Sequence, residues 1–543
     1  MNLKNLLKKL ISKKLIIFLV FTLFLFLGAG LFYLFPKDKN IENRKTVICI
    51  DSEIEKSVRS YIENEGIEYS CSFPDIKISK EKDDSFSTTS EHFLFYAPIV
   101  NLKNHVNSIS EKELKGVFSK NITNWENLGG EGDEIKIFSL DSSENAELLR
   151  QTFLISNYDF ERVDASSLIS KIKENVGSIA FVPFSFIDPG VKTLKIDGNS
   201  PFNNQEEYFY RKTYFVQVKK HDNGILAKID NYFNEQKGEI IEIAAVGDIM
   251  LSRNVGTKIR ESGDSSLPFR KIFRLLSSSD ITFGNLESPF YNQGSPVTEG
   301  MVFKAEPETI DGLVLAGFDI VSLANNHFGD RGRAGMEFTF EHLLENNILY
   351  CGAGRNKSQA HEYKTIKTKG SKISFLSYNE ISPISYSAGT ETPGLAWISS
   401  EKNDLLQMEK DIKKAKENSD FVFVSFHWGI EYTPTPTRNQ KLIAQHAILA
   451  GADIIVAQHP HVVQEVEFLE SRPVFYSLGN FVFDQMWSQE TREGLIVKIY
   501  LYRNEVKSFD LIPVIIEDYN QPRLADEQES QNIKNRIFSV SGI

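Results

Sequence analysis

Residues 453–464 read DIIVAQHPHVVQ. The β-branched apolar run 454–457 suits a strand buried on both faces. Pro460 cannot continue a ladder, so the run ends in Gln458-His459-Pro460-His461. Two imidazoles one residue apart on a loop can turn toward one point, and imidazole is the commonest side-chain metal ligand near neutral pH. Alone, a His-x-His is more often two polar loop residues, but here the design recurs. Residues 241–246 (IEIAAV) run into Gly247-Asp248, and 281–283 run into Gly284-Asn285-Leu286-Glu287. Residues 319–323 (DIVSL) run into Ala324-Asn325-Asn326-His327, and 421–426 (FVFVSF) into His427-Trp428-Gly429. Four of the ten histidines therefore stand at strand ends together with Asp248, Asn285, Glu287 and Asn326. A nitrogen and oxygen donor set without cysteine suits a divalent ion of the Mn, Zn or Fe class, one or two of them, better than a thiolate site.

These side chains need a frame that delivers strand ends to one place. Strands alternate with helical stretches through this half of the chain, which predicts an α/β domain over 239–520 with its site at the carboxyl ends of the strands. Helices are expected near 270–276, 310–315, 332–345, 402–415 and 439–449. The last of these carries His446, read as a surface residue. Arg253, Arg331, Glu431 and Arg438 lie close in sequence to the ligand loops. Arginines there could grip a carboxylate or phosphate bidentately or remain solvated loop charges. Asp330, three residues after His327, is placed to orient it.

The chain has 543 residues, 41% of them hydrophobic, and a formal charge of −12. That length predicts two to four domains. The acidic balance argues against nucleic acid as the main partner, because phosphate binding needs clustered Lys and Arg. The first 14 residues carry five lysines and no acid, and read as a basic cytoplasmic tail. Residues 15–35 (LIIFLVFTLFLFLGAGLFYLF) form an uncharged apolar stretch long enough for a hydrocarbon core of ~30 Å. A single-pass transmembrane helix is therefore expected, with the lysines inside and the bulk of the chain extracytoplasmic at the cell membrane. Cys49, Cys71 and Cys351 show no metal or redox spacing. Whether Cys49 and Cys71 pair is open, buried thiols being the commoner outcome.

Between 46 and 220 lies a further α/β domain. Ser110 reads as an N-cap with Glu113 as its capping-box partner, and Asn124-Trp125 and Gly129-Gly130 mark turns. Residues 117–125 (VFSKNITNW) and 176–182 (VGSIAFV) resemble type II periplasmic solute-binding proteins, notably phosphate-binding ones. Where that family has a Ser-Gly-Thr phosphate cradle, this chain has Asp141-Ser142-Ser143-Glu144-Asn145, which removes a place for backbone N–H groups to approach an anion. Residues 221–238 read as a linker with helical spacing within it, and 521–543 as a polar C-terminal tail.

Six phrases in order, VGDIM, NLESP, ANNHFGDRG, HWGIEY, GADIIVAQHPHVVQ and YSLGNFVFD, resemble the CapA family of capsule and poly-γ-glutamate synthesis proteins, which have a calcineurin-like metallophosphoesterase fold. The resemblance implies an α/β/β/α sandwich. It implies Asp248, Asn326, His427, His459 and His461 as metal ligands and His327 as the general acid of a phosphoesterase, with Asn285 and Glu287 at the bridging position. Two departures stand out. Met250 occupies the His position of the first phosphoesterase motif, and uncharged Asn285 occupies that of the bridging Asp. The implied role is synthesis, release or anchoring of an anionic surface polymer, in company with its synthesis machinery. A metal-dependent hydrolase or transferase acting on a γ-glutamyl amide or phosphoester would serve it. The alternatives are a general extracytoplasmic metallophosphoesterase and a non-enzymatic scaffold or solute-sensing protein of the envelope.

Overall fold

The structure, a computed structural model, describes residues 46–50, 67–141, 143–155, 160–203, 208, 210–219, 222–235, 239–381 and 383–540. Two compact units divide the chain. The first combines the N-terminal stretch to His92 with Tyr214–Phe233. Its strands Glu68–Tyr69, Val47–Ile50 and Ile76–Ser79 run parallel. Phe215 to Val218 pair antiparallel with the last of them. Cys49 and Cys71 form a disulfide here, so the expectation of separate thiols gives way to a covalent link between Val47–Ile50 and the loop before Ile76–Ser79.

The second unit comprises Phe93–Thr213 and Asn234–Ile543. Its first part is a lobe in which Tyr96 to Val100 pair antiparallel with Ser178–Pro183. Lys136–Leu140 then continues the sheet in parallel. Ser110 and Glu113 close the expected capping box on the helix Glu111–Phe118. Trp125 is buried and donates its indole N–H to the Gly177 carbonyl at 2.9 Å.

The remainder of this unit is a sandwich of two sheets. One has the order Leu349–Cys351, Ile320–Ser322, Ile281–Leu286, Ile240–Ile249, Glu493–Tyr502, Glu505–Glu517, Gln521–Leu524. The other has Lys364–Thr368, Ser371–Asn379, Phe421–His427, Ile454–Gln458, Arg472–Phe475, Val466–Leu469. All seven side chains of Phe421–His427 and all five of Ile454–Gln458 are buried, as unbroken apolar runs require in a parallel sheet covered on both faces. The sheets meet through Ile243, Phe283, Phe375, Phe423 and Val456, with the Phe283 and Phe423 rings 4.8 Å apart. Outside them, helices Arg253–Ser262, Ile310–Ala316 and Gly332–Glu345 cover one sheet, and Lys402–Lys416 and Arg438–Ala450 cover the other. This is the α/β/β/α order expected from the motifs. Within the first sheet the backbones approach closely beside Asp248: a Cβ on Gly247 would overlap the Gly479 carbonyl, which is why the VGDI strand needs glycine there.

Two expectations need correction. The transmembrane helix over 15–35 and the basic tail before it lie outside the described residues. Among the described residues no helix is long and apolar enough to cross a membrane. The stretch 521–543, expected as a tail, contributes the strand Gln521–Leu524 and the helix Glu527–Val540. Ile533, Ile537 and Phe538 bring that helix into the sandwich core. The i, i+4 pair among polar residues is too narrow a stripe to stand out in sequence.

Candidate metal centre

Each predicted strand ends where its polar residues begin. Asp248 closes Ile240–Ile249, Asn285 closes Ile281–Leu286 with Glu287 just beyond, and His427 is the last residue of Phe421–His427. His459 and His461 follow Ile454–Gln458. The register sets Asp248 beside Asn285 on one sheet and His427 beside Gln458 on the other. All six side chains are buried. His459 and His461 have φ of 97° and 56°, a left-handed backbone that costs a non-glycine residue free energy and recurs at functional sites. Flanking Pro460, those two turns aim both imidazoles inward.

Two groups of candidate ligands result. Asp248, Glu287 and His427 each offer an atom within 4.8 Å of the others, as do Glu431, His459 and His461. Glu287 joins the two. Its Oε1 lies 3.9 Å from His427 Nε2 and 3.8 Å from His461 Nε2, yet both of its oxygens are buried without a hydrogen-bond partner. His459 Nδ1 is likewise buried and unpartnered. An orphaned buried carboxylate costs several kcal/mol. Burial, with the neighbouring Asp248 charge, holds the Glu287 carboxyl well above the usual range. Burial, with the neighbouring imidazoles, holds His427 and His459 well below theirs. These histidines are therefore neutral at neutral pH, the form that ligates a metal. A divalent cation fits this donor set, because it supplies the charge that Glu287 lacks and the acceptor that His459 Nδ1 lacks.

The surrounding hydrogen bonds fix the ligands. Asn285 Nδ2 donates to Asp248 Oδ1 at 2.7 Å and lies 3.3 Å from His427 Nδ1. His427 Nε2 meets Asn326 Oδ1 at 2.9 Å. Three residues not singled out in sequence also belong here. Asn480 Oδ1 lies 2.9 Å from His461 Nδ1, and the Asn480 amide donates to Gln485 Oε1 and the Thr491 carbonyl. Asn325 donates to Asn285 Oδ1 and the Leu286 carbonyl. Orienting partners of this kind are part of a metal site. The signal for Asn325 and Asn480 was their place inside ANNH and SLGN. The third, Asp484, gave no such signal.

His327 Nδ1 meets Asp330 Oδ2 at 2.9 Å, so the expected orienting pair is formed. Asp330 also accepts from the Phe303 backbone N–H at 2.6 Å, and the Phe303 ring stacks on His327 at 3.9 Å. Met250, where phosphoesterases carry a ligand histidine, is fully buried in apolar packing. The four charged residues beside the loops divide. Glu431 joins the His459–His461 group. Arg253 pairs with Asp484 and lies over the Phe303 ring at 4.7 Å. Arg331 is committed to the carbonyls of Phe303 and Val302. Arg438 is the exposed first residue of Arg438–Ala450 and makes no hydrogen bond or ion pair with the cluster.

An α/β/β/α sandwich with histidines and carboxylates converging at its strand ends defines a metallophosphoesterase-like protein. The family model described as "Bacterial capsule synthesis protein PGA_cap" matches residues 242–485, and one described as "PBP superfamily domain" matches 93–233. The chain is 32% identical over 311 residues to "Capsule biosynthesis protein CapA" of Bacillus anthracis, covering 56% of this chain and 73% of that one. It is 32% identical over 283 residues to "PGA biosynthesis protein CapA" of Bacillus subtilis (strain 168), covering 52% and 73%. A shorter similarity, 33% over 113 residues, links it to "Phosphate-binding protein PstS" of Bacillus subtilis (strain 168), covering 19% of this chain and 37% of that one. The chain belongs to the bacterial capsule synthesis protein family PGA_cap.

Proposed function

We propose that this protein serves the synthesis, release or anchoring of a capsule- or poly-γ-glutamate-type anionic surface polymer in the cell envelope, through a divalent-metal centre with hydrolase or transferase chemistry. The observation that carries the metal centre is Glu287: a buried carboxylate with both oxygens unpartnered, facing His427 and His461. Family membership carries the polymer. Asp248, Glu287, His427, His459, His461 and Glu431 would hold one or two ions of the Mn, Zn or Fe class, with Asn285 and Asn326 beside them. A bound divalent cation supplies Lewis-acid activation of an acyl or phosphoryl oxygen and acidifies water.

The chain's own residues do the rest. His327, held through Nδ1 by Asp330, keeps Nε2 for proton exchange with the leaving group. The Phe303 ring fixes the plane of that imidazole and shields it from bulk water. Asn285 is uncharged, so the negative charge of the ligand set would come from Asp248, Glu287 and Glu431.

Metal content of the purified protein by elemental analysis, beside the His459→Ala/His461→Ala double variant, tests the centre. One or two equivalents that the double variant loses support it, and the number decides whether the missing bridge allows a second ion. No bound metal after reloading with Mn or Zn would refute the metal-centre reading.

A further inference from the structure

Between the lobe and the C-terminal hairpin and helix lies a cavity of about 250 Å³. Its lining includes Leu102, Phe509 and Phe538, which belong to one buried apolar cluster. It also includes Lys192, Lys195 and Lys534, and among the described residues the single acid lining it is Asp510. That acid is already engaged: it pairs with Lys195 at 3.3 Å and accepts from the Tyr500 hydroxyl at 3.2 Å. Lys192 donates to the Asn104 carbonyl and to Asn107 Oδ1, and no described carboxylate forms an ion pair with it. Lys534 makes no hydrogen bond or ion pair with a described residue. Burial, followed by the Lys534 charge, holds Lys192 well below the ordinary lysine range. Burial also lowers Lys534.

Three lysine amines gathered around one carboxylate in a partly desolvated place have no second acid to match them; an anion there would favour their protonated form and be held more strongly than in water. The adjoining cleft shares Asn107, Ser530 and Lys534 and has Glu527 on its lining, so the cationic focus is the cavity itself. We propose that this cavity binds an organic anion, its carboxylate or phosphate group against Lys192, Lys195 and Lys534 and its carbon skeleton on Leu102, Phe509 and Phe538. The site is made of side-chain ammonium groups at the junction of lobe and sandwich. None of its lining residues falls in the stretch 141–145, where a solute-binding protein would cradle phosphate, or among the strand-end metal ligands.

Isothermal titration of the purified full-length protein with a γ-linked glutamate trimer and, separately, with glycerol phosphate tests this and tells the two sources apart. Binding of either probe supports the site and identifies the head group. Lys534→Gln is expected to weaken binding about tenfold or more, the worth of one charge-assisted hydrogen bond. Lys534→Arg should retain it. Because Lys534 makes no hydrogen bond or ion pair with a described residue, the Gln variant should melt close to the parent, which separates lost binding from lost folding. The His459→Ala/His461→Ala variant should bind the same probe unchanged. Absence of binding by both probes, equal affinity in Lys534→Gln, or loss confined to the double-histidine variant would each overturn the proposal.

Discussion

The lobe and the strand ends of the sandwich are both rich in buried polar side chains, yet they use them in opposite ways. In the lobe, the networks around Trp125, Ser110 and Asn101 close on themselves. Trp125 donates to the Gly177 carbonyl, Ser110 and Glu113 cap each other's backbone, and the Asn101 amide donates to the carbonyls of Ile172 and Lys173. At the strand ends, Glu287 and His459 are left with buried atoms that no described residue satisfies. Closed networks make a scaffold, and open ones cost stability unless something else completes them. The difference separates residues that hold the fold from residues that await a ligand, in a way that burial alone does not.

Breaking each kind of network should give different signatures. The largest effect belongs to the scaffold: Trp125→Ala should cost about 3–5 kcal/mol of stability by denaturant unfolding and leave metal content per folded molecule unchanged. Glu287→Gln should do the reverse. Metal affinity should fall by about 100-fold or more, beyond what loss of an orienting partner costs. The metal-free protein should melt no lower than the parent, since a neutral amide replaces a buried carboxyl with no partner. A large drop in metal-free melting temperature would show that Glu287 is structural and erase the contrast. Asn480→Ala, which frees the His461 ring, should weaken metal binding about 10–100-fold, measured by competition with a chelator.

The smallest effect lies in the C-terminal helix. Arg523 grips Glu529 with two hydrogen bonds, at 2.6 and 2.9 Å, and chiefly through them lowers its carboxyl from 4.5 to about 2. A depressed folded value stabilises above the unfolded one, so this contribution should be complete above about pH 4.5 and lost as pH falls toward about 2. Partial exposure limits it to about 1 kcal/mol or less. Glu529→Gln should flatten that part of the stability profile.

The strand-end pattern was legible because parallel strands buried on both faces read as unbroken apolar runs, and each run stopped at a polar residue. Asp248, Glu287, His427, His459 and His461 were found that way, and the structure gathers them. Residues whose role depends on a distant partner were not legible. Asp484 reaches Arg253 across 231 positions, and no local period announces such a pair. The roles of Arg253 and Arg331 shifted for the same reason: an arginine near a site loop in sequence is as readily consumed by a carboxylate or a carbonyl of the fold. The C-terminal helix escaped notice because its buried stripe is only two turns long.

The Cys49–Cys71 link has a consequence outside the fold. A bond of this kind is made and kept where the surroundings are oxidising, and thioredoxin and glutathione hold such pairs open in the cytosol. It therefore records where a given molecule matured. Protein that has passed out of the cytosol should yield one reactive thiol per denatured chain, from Cys351, whereas protein made and kept in reducing cytosol should yield three.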